Sequence, residues 1–277
     1  MPSIGTLLAS ANLPGDSPRL DAELLLAHCL EQTRAHLYAW PERIVSDTAV
    51  VRYQAMLQAR REGCPVAYLL GEKEFWSLAL SVDERALIPR PDTEVLVNWA
   101  LQLDLPVDAQ VADWGTGSGA IALALASERP AWQLMATDVS AAALSLAEEN
   151  CQRLQLVNVD FKLSDWGVNL EGLRLDMIVS NPPYIAETDT HLAAAEVQHE
   201  PRSALVSGAD GLDALRCIVA CAPALLVDNG YLLLEHGWEQ GAAVRQLLHS
   251  AGFNEVETRT DIEGRDRISG GRWRVQT

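Results

Sequence analysis

An α/β chain is predicted, in which a small helical bundle and a β-hairpin linker precede a Rossmann-like parallel sheet of seven strands. Three observations predict it. From Gln110 onward, short apolar runs alternate with helical stretches, the mark of a parallel sheet covered by helices. The first of these runs, Val111–Trp114, leads into Gly115-Thr116-Gly117-Ser118-Gly119, a glycine turn that opens a helix. Residues 1–72 carry helical spacing instead. The expected domains are therefore 1–72 (helical, positioning a substrate), 73–92 (linker) and 93–277 (ligand-binding sheet).

In the first domain, Asp16-Ser17-Pro18 starts a helix with proline at its first position, and Leu20, Leu24 and Ala27 are expected on its packed face. Ser46-Asp47 caps a second helix bearing Val50, Val51 and Leu57, which ends at Arg60-Arg61 before Gly63. His28 and His36 read as ordinary helix residues. In the linker, Phe75 to Val82 alternates partially with period two, consistent with a hairpin. Leu87 to Glu94 follows, with two prolines bracketing Arg90, and Asp92 or Thr93 is expected to cap a helix from Glu94 to Leu101.

The sheet domain then reads in order. Strand Val111–Trp114 and helix Ile121–Ser127 flank the glycine turn. Strand Leu134–Asp138 ends in an acid, and Ser140 caps a helix to Leu154. Strand Val159–Leu163 leads to Ser164-Asp165-Trp166. Strand Leu175–Ser180 is stopped by Pro182, which cannot donate to a ladder. Residues 185–208 are polar and irregular, a candidate lid. Helix Gly211–Leu226, strand Tyr231–His236, helix Glu239–Ala251 and strands near Val256 and Trp273 complete the sheet.

Composition narrows the function. The net charge is −17, with nine acidic and seven basic residues through Glu74 and 29 and 14 after it, a balance of −15 in the second part. Such a surface repels phosphate backbones, so direct nucleic-acid binding is not expected. The five cysteines are scattered, and Cys29, Cys217 and Cys221 sit among apolar neighbours as expected core residues. Reduced thiols and no metal are expected. Neither a membrane span nor a signal peptide is read, and a cytoplasmic location follows.

The chemistry concentrates at Asn181-Pro182-Pro183-Tyr184. Each proline holds the residue before it in an extended shape, so this is a stiff corner at the carboxyl end of a strand. It suits recognition of a planar group bearing NH2. The Asn181 side-chain oxygen and a turn carbonyl can each accept an N–H, while Tyr184 can pack against the flat face. The glycine turn admits a ligand close to the backbone at a helix N-terminus, and Asp138 is placed to accept from ribose hydroxyls. Both features fit either a nicotinamide cofactor or S-adenosylmethionine. Asp165, able to accept from an adenine amino group, Trp166, able to stack on its face, and the absence of a Tyr-x-x-x-Lys pair favour S-adenosylmethionine, hence a seven-stranded methyltransferase domain. Phe75 and Trp76 are open between core packing and a substrate-facing role.

Phe75-Trp76, Ile88-Pro89-Arg90-Pro91-Asp92-Thr93-Glu94, the Gly115–Gly119 turn, Asn181–Tyr184, Glu200-Pro201 and Leu234-Glu235-His236-Gly237 together resemble the release-factor glutamine N5-methyltransferases (HemK/PrmC family) over essentially the whole chain. The resemblance implies methyl transfer from S-adenosylmethionine to the glutamine amide of the Gly-Gly-Gln loop of peptide chain release factors. It implies that Gly115, Thr116, Gly117, Ser118 and Gly119 hold the methionine end of the cofactor, Asp138 its ribose, and Asp165 and Trp166 its adenine. Asn181, Pro182, Pro183 and Tyr184 would hold the glutamine amide, with Asn181, Pro182 and Tyr184 in the catalytic role and Asn181 also touching the cofactor. Arg90, Pro91 and Phe75 would meet the release-factor loop. Trp114 departs from the family's usual aliphatic residue and is expected to point into the sheet's packing. No general base is visible, so the proton is expected to leave to water after transfer. The rival readings are a base amino-methyltransferase acting on a flipped base and a non-catalytic cofactor-binding scaffold.

Overall fold

The computed structural model describes residues 1–274. They divide into two compact units: Met1–Glu72 together with His191–His199, and Lys73–Thr190 together with the chain from Glu200 onward.

The first unit holds α1 (Ile4–Ser10), α2 (Pro18–Leu30), α3 (Arg34–Ala39), α4 (Asp47–Arg61) and α5 (Val66–Leu70). Hydroxyls of Ser3, Thr33 and Ser46 cap α1, α3 and α4 by accepting N–H groups three residues on. On α2 the buried stripe is Ala22, Leu25, Leu26, Ala27 and Cys29, so Ala27 packs as expected, whereas Leu20 is exposed and Leu24 only half-buried. The packed face is thus turned from the one expected, because it includes Glu23. That carboxylate is buried and accepts from Arg19, Arg34 and Tyr38. On α4 Leu57 packs inward and Val51 is exposed, because Ala49, Tyr53, Leu57 and Arg60 form the buried stripe.

The segment His191–His199 belongs to this unit. Arg60 pairs with Asp21 at 2.8 Å and with Glu196 at 2.5 Å. A Cβ at Gly63, whose φ is +96°, would stand 2.7 Å from the Ala195 Cβ, so only glycine fits there.

The second unit opens with a hairpin, β1 (Glu72–Phe75) and β2 (Leu78–Ser81). Its two turn residues, Trp76 and Ser77, both have positive φ, the conformation that the twist of a two-residue hairpin requires. Neither is glycine, and the turn is held by other means. The Trp76 N–H donates to Glu94 at 3.0 Å and its indole to Glu128 at 2.8 Å.

After α6 (Glu94–Gln102) come β3 (Gln110–Trp114), α7 (Ala120–Glu128), β4 (Gln133–Asp138), α8 (Ala141–Leu154), β5 (Val159–Leu163) and β6 (Leu175–Ser180). Then follow α9 (Asp213–Cys221), β7 (Leu226–Glu235), α10 (Gly241–Ser250), β8 (Asn254–Thr260) and β9 (Asp266–Arg272). The seven strands lie in the order β5-β4-β3-β6-β7-β9-β8, parallel except for β9. Strand residues alternate between two cores: Val111, Met177, Val179 and Leu233 pack on one face, Ala112, Trp114, Ile178 and Leu232 on the other. Trp114 is fully buried, in the packing role expected of it.

Three expectations need correction here. The helix expected over 211–226 is shorter, ending at Cys221 and passing through a 3-10 turn at Ala222–Ala224, because Pro223 cannot donate to an α-helical ladder. Strand β7 accordingly begins at Leu226 and ends at Glu235, before His236. Cys217 is exposed on α9 rather than in the core; Leu215, Ile218 and Val219 fill the buried face instead.

Candidate active site

Strand register places the site. Trp114 pairs with Thr137 on one side and with Ser180 on the other, so Gly115, Asp138 and Asn181 lie side by side at adjacent strand ends. Asp138 in turn pairs with Leu163, which brings Ser164-Asp165-Trp166 alongside. On the far side Ser180 pairs with Leu234, so Glu235 stands next to Asn181. Between β3 and β6 the sheet order reverses, the crevice where open α/β sheets bind ligands.

A cavity of about 400 Å³ occupies that crevice, within the roughly 300–1,000 Å³ of small-molecule sites. Gly115, Thr116, Gly117, Ser118, Asp138, Asp165, Trp166, Asn181, Pro183 and Arg90 all line it, which brings most of the sequence-expected site residues together.

The glycine turn is built to keep this space open. Gly115 has φ +72°, and a Cβ there would lie 3.3 Å from Trp166 Cζ3. The indole therefore crosses the turn close enough that a side chain at position 115 would crowd it. Thr116 donates its hydroxyl to Asp113 Oδ2 at 2.6 Å, and the Ala122 N–H reaches the same oxygen at 3.1 Å, which ties the turn to the first turn of α7. Burial pushes the Asp113 carboxyl up to about 7 against these two donors. Asp138 accepts Gly117 N–H at 3.0 Å and Ser140 N–H at 2.9 Å. With two donors satisfied, its oxygens keep lone pairs for a hydroxyl-bearing ligand. Burial raises its pKa.

Asn181 donates Nδ2–H to Thr93 Oγ1 at 3.1 Å, so its Oδ1 remains available to a ligand. Opposite, Arg90 pairs with Glu200, whose other oxygen accepts Ile88 N–H at 3.0 Å. Pro201, Ser203 and Ala204 then join the cavity wall.

Five residues expected at the site stand elsewhere. Phe75 is in the core beside Leu80 and Leu96, so its expected substrate contact is replaced by packing. Pro91 is exposed, starting a 3-10 turn at Pro91–Thr93. Gly119, at φ +87°, starts α7, where a Cβ would meet Leu123 Cδ1 at 2.9 Å. Pro182 is buried. Tyr184 is half-buried against the core with its hydroxyl 3.2 Å from Glu235 Oε1, so it braces Glu235 rather than walling the cavity.

Thr93, expected as a possible helix cap, makes no capping hydrogen bond and serves Asn181 instead. Sequence reasoning gave no role to Glu235 or to Thr93 at the site. The available signal was an acid directly after an apolar strand, in register with the Asn181 corner. Among the described residues no group of three or more His, Cys, Asp or Glu is placed to hold a metal ion. Nor, among the described residues, is any helix long and apolar enough to cross a membrane.

Residues 6–71 match the family model of the PrmC N-terminal domain, and residues 92–211 that of the methyltransferase small domain. The chain is 54% identical over 275 residues to release factor glutamine methyltransferase of Pseudomonas aeruginosa, covering 99% of each. It is 46% identical over 258 residues to that of Escherichia coli, covering 93% of each. The chain belongs to the release factor glutamine methyltransferase family. A methyltransferase from Pyrococcus furiosus superposes with a TM-score of 0.54 at 16% identity, over 72% of this chain and 90% of that one, a likeness of fold. The family's methyltransferase fold thus coincides with the seven-stranded sheet built above from register.

Proposed function

We infer that this chain transfers a methyl group from S-adenosylmethionine to the side-chain amide nitrogen of the glutamine in the Gly-Gly-Gln loop of peptide chain release factors. The observation that carries the reading is Asn181 at the cavity wall, its Nδ2 engaged by Thr93 and its Oδ1 left to accept.

The residues present fit the cofactor. Trp166 lying over Gly115 offers a flat apolar face, and Asp138 offers spare acceptors at the next strand end. Asp165 is at hand for an exocyclic amino group. S-adenosylmethionine, when bound, supplies an electrophilic methyl on a sulfonium.

An amide nitrogen is a weak nucleophile because its lone pair is delocalised into the carbonyl. Asn181 Oδ1 and a backbone carbonyl of the 181–184 turn accept the two N–H groups of the substrate carboxamide, which raises electron density on nitrogen and fixes its aim. Such positioning is worth several kcal/mol (roughly 3–10). The proton lost from nitrogen passes to water. Arg90 lines the cavity with its side chain partly exposed, which supports its contact with the glutamine-bearing loop.

Mass spectrometry of a release factor incubated with the enzyme and S-adenosylmethionine tests the reading. One added methyl on the loop glutamine is expected; an unmodified glutamine alongside methylated nucleic acid would overturn it.

A further inference from the structure

We propose that Thr93 and Glu235, braced by Tyr184, are positioning residues that decide which end of the Asn181 amide faces the cavity. The inference rests on the reading of Asn181 as acceptor for the substrate carboxamide.

The oxygen and nitrogen of an asparagine side chain have nearly the same shape, so packing alone cannot choose between them. A neighbour with a fixed hydrogen-bonding polarity can. Thr93 Oγ1 is 3.1 Å from Asn181 Nδ2 and buried. A hydroxyl carries one proton, and whichever group takes that proton determines what its oxygen can do for Asn181.

Glu235 is the group placed to take it. It ends β7, and its neighbour Leu234 is the register partner of Ser180, so Glu235 and Asn181 leave adjacent strands side by side. Its carboxylate is buried, with Tyr184 donating to Oε1 at 3.2 Å. Oε2 is buried with no hydrogen-bond partner. Of the groups that hold the Glu235 carboxyl down, the Thr93 hydroxyl acts most strongly, and the unpartnered Oε2 is the acceptor its proton can turn to.

An ionised carboxylate only accepts. Thr93 then spends its proton on Glu235 and presents a lone pair to position 181, where only the amide NH2 can meet it. Oδ1 is thereby turned toward the cavity. Protonation of Glu235 reverses the chain of donors: the carboxyl can donate to Thr93, the Thr93 proton turns to Asn181, and the amide is free to flip. Its NH2 would then face the N–H groups it should accept.

The charged and titratable surroundings are consistent with this switch. Burial pushes the Glu235 carboxyl up to about 7; Thr93, Arg267 and Tyr184 oppose the rise and the Asp92 charge adds to it. Arg90 acts on Tyr184 from the cavity side. Turnover should therefore climb with pH through a limb near 7.

The test uses the full-length chain with T93V, T93S and E235Q. T93V removes the hydroxyl at nearly constant volume, and kcat is expected to fall about 10–100-fold, the scale of losing an orienting hydrogen bond, with S-adenosylhomocysteine affinity unchanged. T93S restores the hydroxyl and should recover kcat to within about threefold. E235Q should remove the pH limb, which separates Glu235 from Asp113, also raised to about 7. In the NMR spectrum of the free protein, one Asn181 Nδ2 proton should be protected from exchange in the wild type and T93S, and exposed in T93V. Unchanged Nδ2 protection in T93V, or a pH limb surviving in E235Q, overturns the relay. A wild-type chain that leaves release factors unmethylated while Nδ2 protection still follows Thr93 overturns the function and supports the relay.

Discussion

Glu200 and Arg90 form an ion pair across 110 residues of sequence, with the carboxylate buried and the guanidinium half-exposed at the cavity rim. The same carboxylate accepts Ile88 N–H at 3.0 Å. One buried acid thus holds together the two chain segments that supply Pro89 and Arg90, and Pro201 and Ser203, to the cavity wall. Glu200→Gln keeps the shape but turns an NH2 toward one of two donors. A loss of about 1–3 kcal/mol in urea unfolding is expected, the cost of a mismatched buried hydrogen bond. The KM for the release factor should rise more than that for S-adenosylmethionine, measured by steady-state kinetics with each substrate varied.

Asn181→Ala removes the acceptor while leaving the proline-braced backbone in place. We expect kcat to fall by about 10²–10³-fold, as for loss of one preorganised polar contact to a reacting group. S-adenosylhomocysteine affinity by calorimetry should stay within about threefold, since the ribose and adenine walls are other residues. Wild-type turnover in this variant would remove Asn181 from the mechanism.

Much of this site is legible in the sequence. The strand ends at Trp114 and Ser180 follow from apolar runs closed by glycine or proline, that at Asp138 from an acid just before the Ser140 cap, and the register then brings this acid and the residues after the other two into one crevice. What could not be read is set by tertiary partners. Glu23 lies on a buried face because Arg19, Arg34 and Tyr38 converge on it from separate positions, an event invisible to periodicity. Phe75 was ambiguous because an aromatic beside a turn can face either way. The core of Leu80, Leu96 and Val97 decides it. Thr93 read as a cap since its type and place suit one; the competing partner, Asn181, lies 88 residues away.

Glu23 gives the helical unit an acid-sensitive component. Burial alone would raise its pKa, but hydrogen bonds from Tyr38, Arg34 and Arg19 bring it down to about 2 from 4.5. A carboxyl depressed in the folded state contributes stability that is fully present above its unfolded pKa and is lost as pH falls toward the folded one. The window is therefore about pH 4.5 down to 2. Glu23→Gln should flatten the pH dependence of unfolding free energy in that window, measured by urea titration of the full chain. It should also lower stability at neutral pH by about 1–3 kcal/mol.

Gly115→Ala probes the cradle over which Trp166 lies. At φ +72° the backbone is left-handed, costing an alanine about 1–2 kcal/mol. Its new Cβ would also press on Trp166 Cζ3 at 3.3 Å, tighter than most carbon contacts. The indole carries its own constraint, since Trp166 has φ +52° and its carbonyl accepts from Ser164 Oγ at 2.7 Å, so its main chain cannot easily retreat. The strain must then be relieved by tilting the ring into the space meant for the ligand. S-adenosylhomocysteine affinity is expected to weaken about tenfold or more, equivalent to roughly 1.4 kcal/mol, with the far-UV circular dichroism unchanged. Trp166→Ala combined with Gly115→Ala separates the two causes. If the ring transmits the effect, the second substitution should weaken binding little beyond Trp166→Ala alone; additive losses would assign the effect to the backbone.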